Sequence, residues 1–419
     1  MNIDLVVLSI ATLLGFYMAA NIGANDLANA MGTSVGSGAL TLRQAVLVSV
    51  IANVFGAVLA GGHVTSTISK GIIQPALFAT EPDKLMLGMF AALISASLCV
   101  HLATHFGLPV STTHAIVGAV VGFGIVSVGA GAVSWGKIIS IALSWAISPV
   151  AGALIGGSIF YFVEKNILST SDPYIAAIRY SPGLIFSVVI VLFLSFIFKG
   201  LKNLHLDIGF FQTLLVAIPF AALAGLLGRR WARRHLRLRR RLGGINTRGY
   251  SPVESFFALL QVLTACYVAF AHGANDVANA VGPLATIFSV VKTKSVALQV
   301  EISFWMLFIG GIAVGGGLFA FGTRVLETIG KKITEITPSR GFCAEFGAAT
   351  SILICSRLGL PVSTTHVLVG SVVGVGLMRG MGTLDLRILK NIVLSWIVTL
   401  PLTMVLSSVV FKLLAFFLL

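Results

Sequence analysis

Two aspartates stand in nearly identical strings, GANDLANAMG from Gly23 and GANDVANAVG from Gly273. Asp26 and Asp276 each follow a long apolar run. An ionised Asp at the centre of a bilayer costs about 2.5–3.5 kcal/mol on insertion scales, so a partner or a function must offset it. Neither string contains a Lys or Arg. A single Asp of this kind could simply cap a helix end and face water, but two at equivalent positions favour a functional role.

Amide side chains accompany both aspartates. They are Asn25 and Asn29 in the first string and Asn275 and Asn279 in the second. Carboxylate and amide oxygens suit a small, hard cation, and two carboxylates that meet inside a membrane repel each other unless a cation lies near them. The strings therefore predict a Na+ site, or a protonation site, in each half of the chain, with Asp26, Asn29, Asp276 and Asn279 as ligands.

A second duplicated string, GLPVSTTH, begins at Gly107 and again at Gly359. The proline in each copy disfavours helix at the residue before it, and the following Ser and Thr are good N-caps for a new helix. The hydroxyls are those of Ser111, Thr112, Thr113, Ser363, Thr364 and Thr365. Free amides at a helix N-terminus bind anions, and hydroxyls add donors. The alternative is an ordinary surface turn, but exact duplication favours two re-entrant hairpins whose tips bind an oxyanion such as phosphate or sulfate.

Four further polar residues are candidates, and His114, His366 and Asn53 are the secondary ones. His114 and His366 follow the threonines, and we interpret them as buried side chains bonded to the opposite hairpin arm in preference to substrate ligands. Glu345 has no acidic counterpart in the first copy and is a candidate third cation ligand or proton carrier. Asn53, in an apolar run, is a weaker candidate.

Membrane helices must position these residues. Of 419 residues, 57% are hydrophobic and 10% are charged, against about 25% charged in ordinary soluble domains. Long apolar runs recur along the chain, and about 20 such residues cross a bilayer as a helix. A membrane β-barrel would instead show alternating segments of about 10 residues. The sequence predicts an all-α, polytopic membrane protein.

The chain is a tandem duplication. The GLPVSTTH strings are separated by almost the same distance as the GAND strings, and SWAISP at Ser144 returns as SWIVTLP from Ser395. We divide the chain into a first transmembrane repeat (1–165), two connecting helices (166–228), an Arg-rich loop (229–250) and a second repeat (251–419). Helices are predicted near 4–22, 44–62, 86–105, 110–130, 137–162, 183–199, 209–228, 253–272, 296–321, 341–357, 362–378 and 388–417. The hairpin arms add two crossings or none, so parity makes the second repeat start in the opposite direction, an inverted topology found in many secondary transporters.

Charge predicts the orientation. The net charge is +14, and much of it lies in RRWARRHLRLRRR, Arg229–Arg241. No nucleic-acid motif accompanies this stretch, so we expect no nucleic-acid partner. The positive-inside rule places it in the cytoplasm, where it could touch anionic lipid, and puts both termini outside. Lys292 and Lys294 would then also lie outside, which agrees less well with the positive-inside rule.

The sequence motifs and their absence limit the classes of function that this chain could have. No GxxxxGK[ST] string is present, which argues against ATP hydrolysis, and no cofactor is predicted. Cation ligands beside an anion site indicate a cation-coupled anion transporter. An anion channel would need no cation, and an enzyme acting on phosphorylated lipid would need a nucleophile or a metal cluster that the sequence does not show. We therefore predict a protein that is not an enzyme.

The GANDLANAMGTSVGSG, AHGANDVANAVGPL and GLPVSTTH strings resemble the inorganic phosphate transporter (PiT) family over nearly the whole chain. The resemblance implies about 12 transmembrane segments counting hairpin arms, inverted repeats, a homodimer in the cell membrane, and import of inorganic phosphate with Na+ or H+. It assigns phosphate to the two Ser-Thr-Thr triplets with Asn25 and Asn275, and Na+ to Asp26, Asn29, Asp276, Asn279 and Glu345. Asn53 stands where many relatives carry Glu, which leaves the cation count and the coupling ion open. Some members of the family carry sulfate.

Overall fold

The computed structural model describes residues 3–200, 209–241, 251–296, 300, 302–357 and 362–419; at 62–71, 199–200, 210, 239–241 and 356–357 it describes the backbone alone. Fifteen α-helices follow one another within these ranges. They are α1 (Ile3–Ile22), α2 (Ala28–Gly36), α3 (Leu42–Gly71), α4 (Pro82–His105), α5 (Thr112–Val128), α6 (Trp135–Val163), α7 (Pro173–Ser195), α8 (Phe210–Arg241), α9 (Pro252–Asn275), α10 (Ala278–Thr293), α11 (Phe304–Phe321), α12 (Thr323–Glu327), α13 (Pro338–Arg357), α14 (Thr364–Arg379) and α15 (Leu386–Leu418). Single π-helical turns occupy Gly23–Leu27, Glu164–Leu168, Phe196–Gly200 and Thr328–Lys332.

The helices are those of a multi-pass membrane protein. In the described part of the chain, nine helical stretches are long and apolar enough to span a bilayer, and α1 with α2 and α9 with α10 each count as one stretch. The hairpin arms α5 and α14 are shorter apolar helices, and with α13 the described segments reach the predicted twelve. Phe211 and Leu215 are 79% and 73% exposed on the helix surface, as expected where lipid replaces water. The predicted fold class is confirmed.

Several boundaries differ from the prediction. The predicted Arg-rich loop is wrong for 229–241, where α8 continues as helix to Arg241, because no Gly or Pro interrupts the stretch and Arg favours helix; 242–250 lie outside the described residues. Helix α7 begins ten residues early, at Pro173, and accommodates Pro182 inside, which membrane helices tolerate. The short helices α2 and α10, beyond the GAND strings, were not predicted.

The two halves interleave. Helix α3 packs against α9, and α1 packs against α11; likewise α6 packs against α14, and α15 against α5. Close backbone contact explains two glycines at these crossings. A Cβ built on Gly23 would lie 1.6 Å from the Val314 carbonyl oxygen, and one on Gly273 would lie 2.1 Å from that of Asn53. Any side chain at either position would push the halves apart.

An ion pair relates the directions of the first and second GAND segments. Lys294, directly after α10, lies 2.8 Å from Asp4 at the start of α1. The start of the α1–α2 segment and the end of the α9–α10 segment therefore lie at the same end of the bundle, so the two segments run in opposite directions.

Candidate functional site

The first GAND string forms a π-helical turn, Gly23–Leu27, between α1 and α2. π-Helical turns are rare and recur at functional sites. Asp26 and Asn29 are 2% and 0% exposed. In the second string, α9 ends at Asn275 and α10 begins at Ala278, which places Asp276 at the break. Each Asp thus lies at an interruption of a membrane segment.

Asp26 lies between the N-termini of both hairpin helices. Its Oδ2 accepts a hydrogen bond from the Thr112 hydroxyl on α5, and its Oδ1 accepts one from Thr365 Oγ1 on α14 at 2.8 Å. Ser111 and Ser363 are the N-caps, with their Oγ atoms accepting the backbone amides of His114 and His366. Each serine hydroxyl still has its proton to donate. The hairpins and the first GAND string form one polar cluster, the central site.

Asp276 has a related set of partners. Thr364 Oγ1 donates to its Oδ2 at 3.2 Å, and His272 Nδ1 lies 2.5 Å from the same oxygen. Sequence reasoning did not single out His272, although it stands four residues before Asp276, one helical turn away. The first repeat has Ile22 at the equivalent place, so the acids of the two repeats differ in environment.

The asparagines cross between repeats. Asn29 Nδ2 donates to Thr365 Oγ1 at 3.1 Å. Asn279 Nδ2 lies 3.2 Å from both Thr112 Oγ1 and Thr113 Oγ1. Each repeat's Asn therefore contacts the other repeat's hairpin, a reciprocity expected of two copies of one unit.

Asn25 holds the tip of the first hairpin, and its described hydrogen bonds go to that hairpin and not to the residues of the central site. Its Nδ2 donates to Thr104 Oγ1 at 2.9 Å and to the Leu108 carbonyl at 3.0 Å. Its Oδ1 accepts the Val110 amide at 2.9 Å. Both amide protons are thus used to hold the hairpin tip. Asn275 is half-buried, and 358–361, the equivalent tip, lie outside the described residues.

Glu345 belongs to a separate polar cluster. Oε1 accepts hydrogen bonds from Thr33 and Ser34 at 2.6 Å each and from Gln261 at 3.2 Å. Oε2 accepts one from Thr264 at 2.8 Å. Since Thr33 is seven residues beyond Asp26, the clusters lie about 10 Å apart along α2. Glu345 is fully buried.

The two hairpin histidines pack on one another. The His114 and His366 rings meet edge to face at 4.5 Å, and each also packs on a tryptophan, Trp145 on α6 for His114 and Trp396 on α15 for His366. His366 Nδ1 lies 3.4 Å from the Trp145 carbonyl oxygen. Burial of the rings was predicted, but this partner lies on α6 and not on the opposite hairpin arm. Both tryptophans lie in the third repeated string, SWAISP and SWIVTLP, a signal that could have identified them.

Two buried acceptors suit a cation. Asn29 Oδ1 and Asn53 Oδ1 make no hydrogen bond to any described residue, although both side chains are 0% exposed. Among the described residues, Asn53 Nδ2 donates within α3, to the Ser49 carbonyl at 3.1 Å. A buried oxygen without a donor is costly and is a natural ligand for a small cation.

Comparison with known proteins supports the transporter interpretation. Residues 22–407 match the model of the Phosphate transporter family. A phosphate permease of Pyrococcus furiosus is 43% identical over 97% of this chain and 96% of its own. The chloroplastic inorganic phosphate transporter 2-1 of Arabidopsis thaliana is 43% identical over 94% of this chain and 70% of its own.

A solved structure agrees along the whole chain. It is described as the sodium-dependent phosphate transporter, has a TM-score of 0.87 and 41% identity, and covers 99% of this chain and 100% of its own. The prediction that the chain is not an enzyme is confirmed, because the matched family is one of transporters. On these matches, the chain belongs to the phosphate transporter family.

Proposed function

We propose that this chain imports inorganic phosphate by symport with Na+, through alternating access between two repeats of inverted topology. The observation that carries the proposal is the position of Asp26. One buried carboxylate accepts hydroxyl protons from Thr112, the first residue of α5, and from Thr365, the second residue of α14. The same hydroxyls are the donors that phosphate would need.

Coupling follows from this sharing. Before Na+ binds, the threonine hydroxyls donate to Asp26 and Asp276. When Na+ binds these carboxylates with Asn29 and Asn279, its charge satisfies their oxygens and the hydroxyls can turn to phosphate. Na+ also cancels the negative charge that would repel the anion. Each ligand therefore strengthens the binding of the other, as linkage requires.

Serine and threonine hydroxyls at the hairpin helix N-termini would hold the phosphate. Amides and helix dipoles there favour negative charge. Asn25 would support phosphate binding indirectly, by holding the tip of the first hairpin. Asn275 would do the same for the second hairpin, since it stands at the equivalent place. Glu345 would hold a further Na+ in its own cluster. Asn53 Oδ1 is a secondary candidate ligand for Na+.

Reciprocal contacts support the inverted repeats. The exchange of Asn29 with α14 and Asn279 with α5, and the opposite directions implied by the Asp4–Lys294 pair, fit two units related by a pseudo-twofold axis. In such transporters the site lies where the repeats meet, and movement of one repeat against the other opens it alternately to each side.

H+ coupling is the second candidate, and the 2.5 Å contact between His272 and Asp276 favours it, because that pair could share a proton. Sulfate is the alternative cargo. Monohydrogen phosphate carries an O–H that a carboxylate can accept, whereas sulfate carries none, so a site built around acids favours phosphate. A channel is disfavoured because both hairpins close on Asp26.

Uptake into proteoliposomes tests the proposal. Labelled phosphate would be offered under an inward Na+ gradient, an inward proton gradient, or neither, with sulfate as competitor. We expect accumulation against a phosphate gradient only with Na+. Accumulation driven by protons alone would establish the second candidate, and equilibration without either gradient would establish a channel.

Partners and orientation complete the proposal. We place the protein in the cell membrane with Arg229–Arg241 and the residues after it in the cytoplasm and both termini outside. The arginines at the end of α8 would contact anionic lipid headgroups. A homodimer is proposed from the family resemblance.

A further inference from the structure

A cavity of about 200 Å³ lies beside the first hairpin, apart from the central site. Its polar lining comes from His101, Thr104 and His105 on α4 and from Thr323 and Arg324 on α12. His105 and Arg324 are exposed, so the cavity communicates with the surface. We call it the vestibule.

The vestibule has the chemistry of an anion site. None of the described residues that line it is acidic. Arg324 Nη1 donates to the His105 carbonyl oxygen, and a guanidinium has five N–H groups in all, so others remain for a ligand. Arg also presents a planar fork that matches oxyanions. The Thr323 hydroxyl and the His105 imidazole add further donors, whereas the Thr104 hydroxyl already donates to the Val100 carbonyl at 2.8 Å.

One wall of the vestibule is shared with the central site. Thr104 lines the vestibule and accepts a hydrogen bond from Asn25, the residue before Asp26. One turn before Thr104 on α4 and one turn before Asn25 on α1, His101 Nδ1 lies 3.1 Å from Asn21 Oδ1. Asn25 also binds the Leu108 carbonyl. The hairpin tip and Asn25 therefore separate the two compartments.

We propose that the vestibule is a second binding site, for a tetrahedral oxyanion, which inorganic phosphate occupies between bulk water and the central site. Its role on the transport path rests on the proposed function. A cationic cleft raises the local concentration of anions and speeds their capture. Because no carboxylate is found among its described lining residues, binding there needs no Na+, in contrast to the central site. It weakens as salt screens the charge.

Binding of ³²P-labelled phosphate to the purified full-length protein at low ionic strength tests the proposal. The Asp26→Asn/Asp276→Asn double variant removes the Na+-dependent component. We expect it to retain a weaker component that does not depend on Na+ and that sulfate competes for. Adding Arg324→Gln should reduce that component about tenfold or more, the effect of one charged hydrogen bond.

Two controls make the result decisive. Lys332→Gln removes one cation from the turn that follows α12 without touching the vestibule, and should leave the component intact. Arg324→Gln alone should keep Na+-dependent binding, which shows that it folds, because Thr328 still donates to the Gly107 carbonyl at 2.8 Å. Absence of Na+-independent binding, or equal loss in both cation variants, would overturn the vestibule site. Absence of Na+-dependent binding by the unmodified protein would instead contradict the proposed function.

Discussion

Thr365 and Asp26 are 339 residues apart in sequence, yet Thr365 Oγ1 donates to Asp26 Oδ1 at 2.8 Å. The same hydroxyl oxygen accepts Asn29 Nδ2 at 3.1 Å. One threonine of the second repeat thus joins two side chains of the first. The central site therefore needs residues of both repeats, and under the proposed mechanism this would link ligand binding to relative movement of the repeats.

The first prediction concerns the charge of Asp26. Asp26→Asn keeps the shape of the side chain but removes the negative charge that we assign to Na+ binding. We expect Na+-driven phosphate uptake to be abolished, as also for Asp276→Asn, with normal expression. The measurement is initial uptake in proteoliposomes containing equal amounts of protein. Unchanged Na+-driven uptake by both variants would exclude these acids as cation ligands.

The second prediction separates the Thr365 hydroxyl from its methyl group. Thr365→Val keeps the shape and loses both hydrogen bonds, whereas Thr365→Ser keeps the hydroxyl. A hydrogen bond to a charged group contributes about 1.5–3 kcal/mol, so we expect phosphate uptake to fall about tenfold or more in the valine variant and to remain near normal in the serine variant.

Thr113 provides the matched control for Thr365 in the other repeat. It accepts Asn279 Nδ2, but no hydrogen bond from Thr113 to an Asp is found among the described residues. Thr113→Val should therefore reduce uptake less than Thr365→Val. Equal losses would mean that the contact with Asp26 is unimportant.

Duplication explains what the sequence could predict. Asp26 with Asp276 and the two Ser-Thr-Thr triplets stand out in the sequence because each chemically costly feature occurs twice. In the structure, Thr112 and Thr365 donate to Asp26, and Thr364 donates to Asp276. The hairpins were predicted because proline followed by N-capping residues is a local signal.

The remaining features depend on tertiary contacts or on asymmetry between the repeats. His272 has no counterpart in the first repeat, so comparison of the repeats could not select it. The hydrogen bond from Asn29 of the first repeat to Thr365 of the second depends on how the two halves pack together, and no local sequence pattern encodes that packing. Asn25 was assigned to phosphate by resemblance, whereas its contacts with Thr104, Leu108 and Val110 are visible only in three dimensions.

The third prediction distinguishes the coupling ions through His272. Gln at this position retains an N–H donor for Asp276 but cannot exchange a proton in the physiological range. If Na+ is the coupling ion, His272→Gln should retain Na+-driven uptake. We would compare Na+ and proton gradients in proteoliposomes for the variant and the unmodified protein. Proton-driven uptake that disappears in His272→Gln would contradict Na+ coupling and support proton transfer through the pair.

The fourth prediction uses two adjacent glycines of α11. A Cβ on Gly317 would lie 1.8 Å from the Ala20 carbonyl oxygen, whereas one on Gly316 meets nothing within 4 Å. Gly316→Ala should be neutral or stabilise by up to about 1 kcal/mol, because Ala favours helix. Gly317→Ala should lower the melting temperature in detergent and impair uptake, because it separates α11 from α1. Equal melting temperatures would show that this crossing is not close.

The fifth prediction concerns Glu345. The Glu345 cluster lies about 10 Å from Asp26 along α2. It joins α2, α9 and α13 through hydrogen bonds from Thr33, Ser34, Gln261 and Thr264. A cation bound there would therefore affect phosphate binding through helix packing and not by direct contact. Glu345→Gln should therefore retain phosphate binding at saturating Na+ but make the dependence of uptake on Na+ concentration less steep, by the loss of one ion. Thr264→Val is the structural control, since it removes one hydrogen bond from the same carboxylate and keeps its charge, so the steepness should persist. Equal steepness in Glu345→Gln and the unmodified protein would show that Glu345 only ties the three helices together.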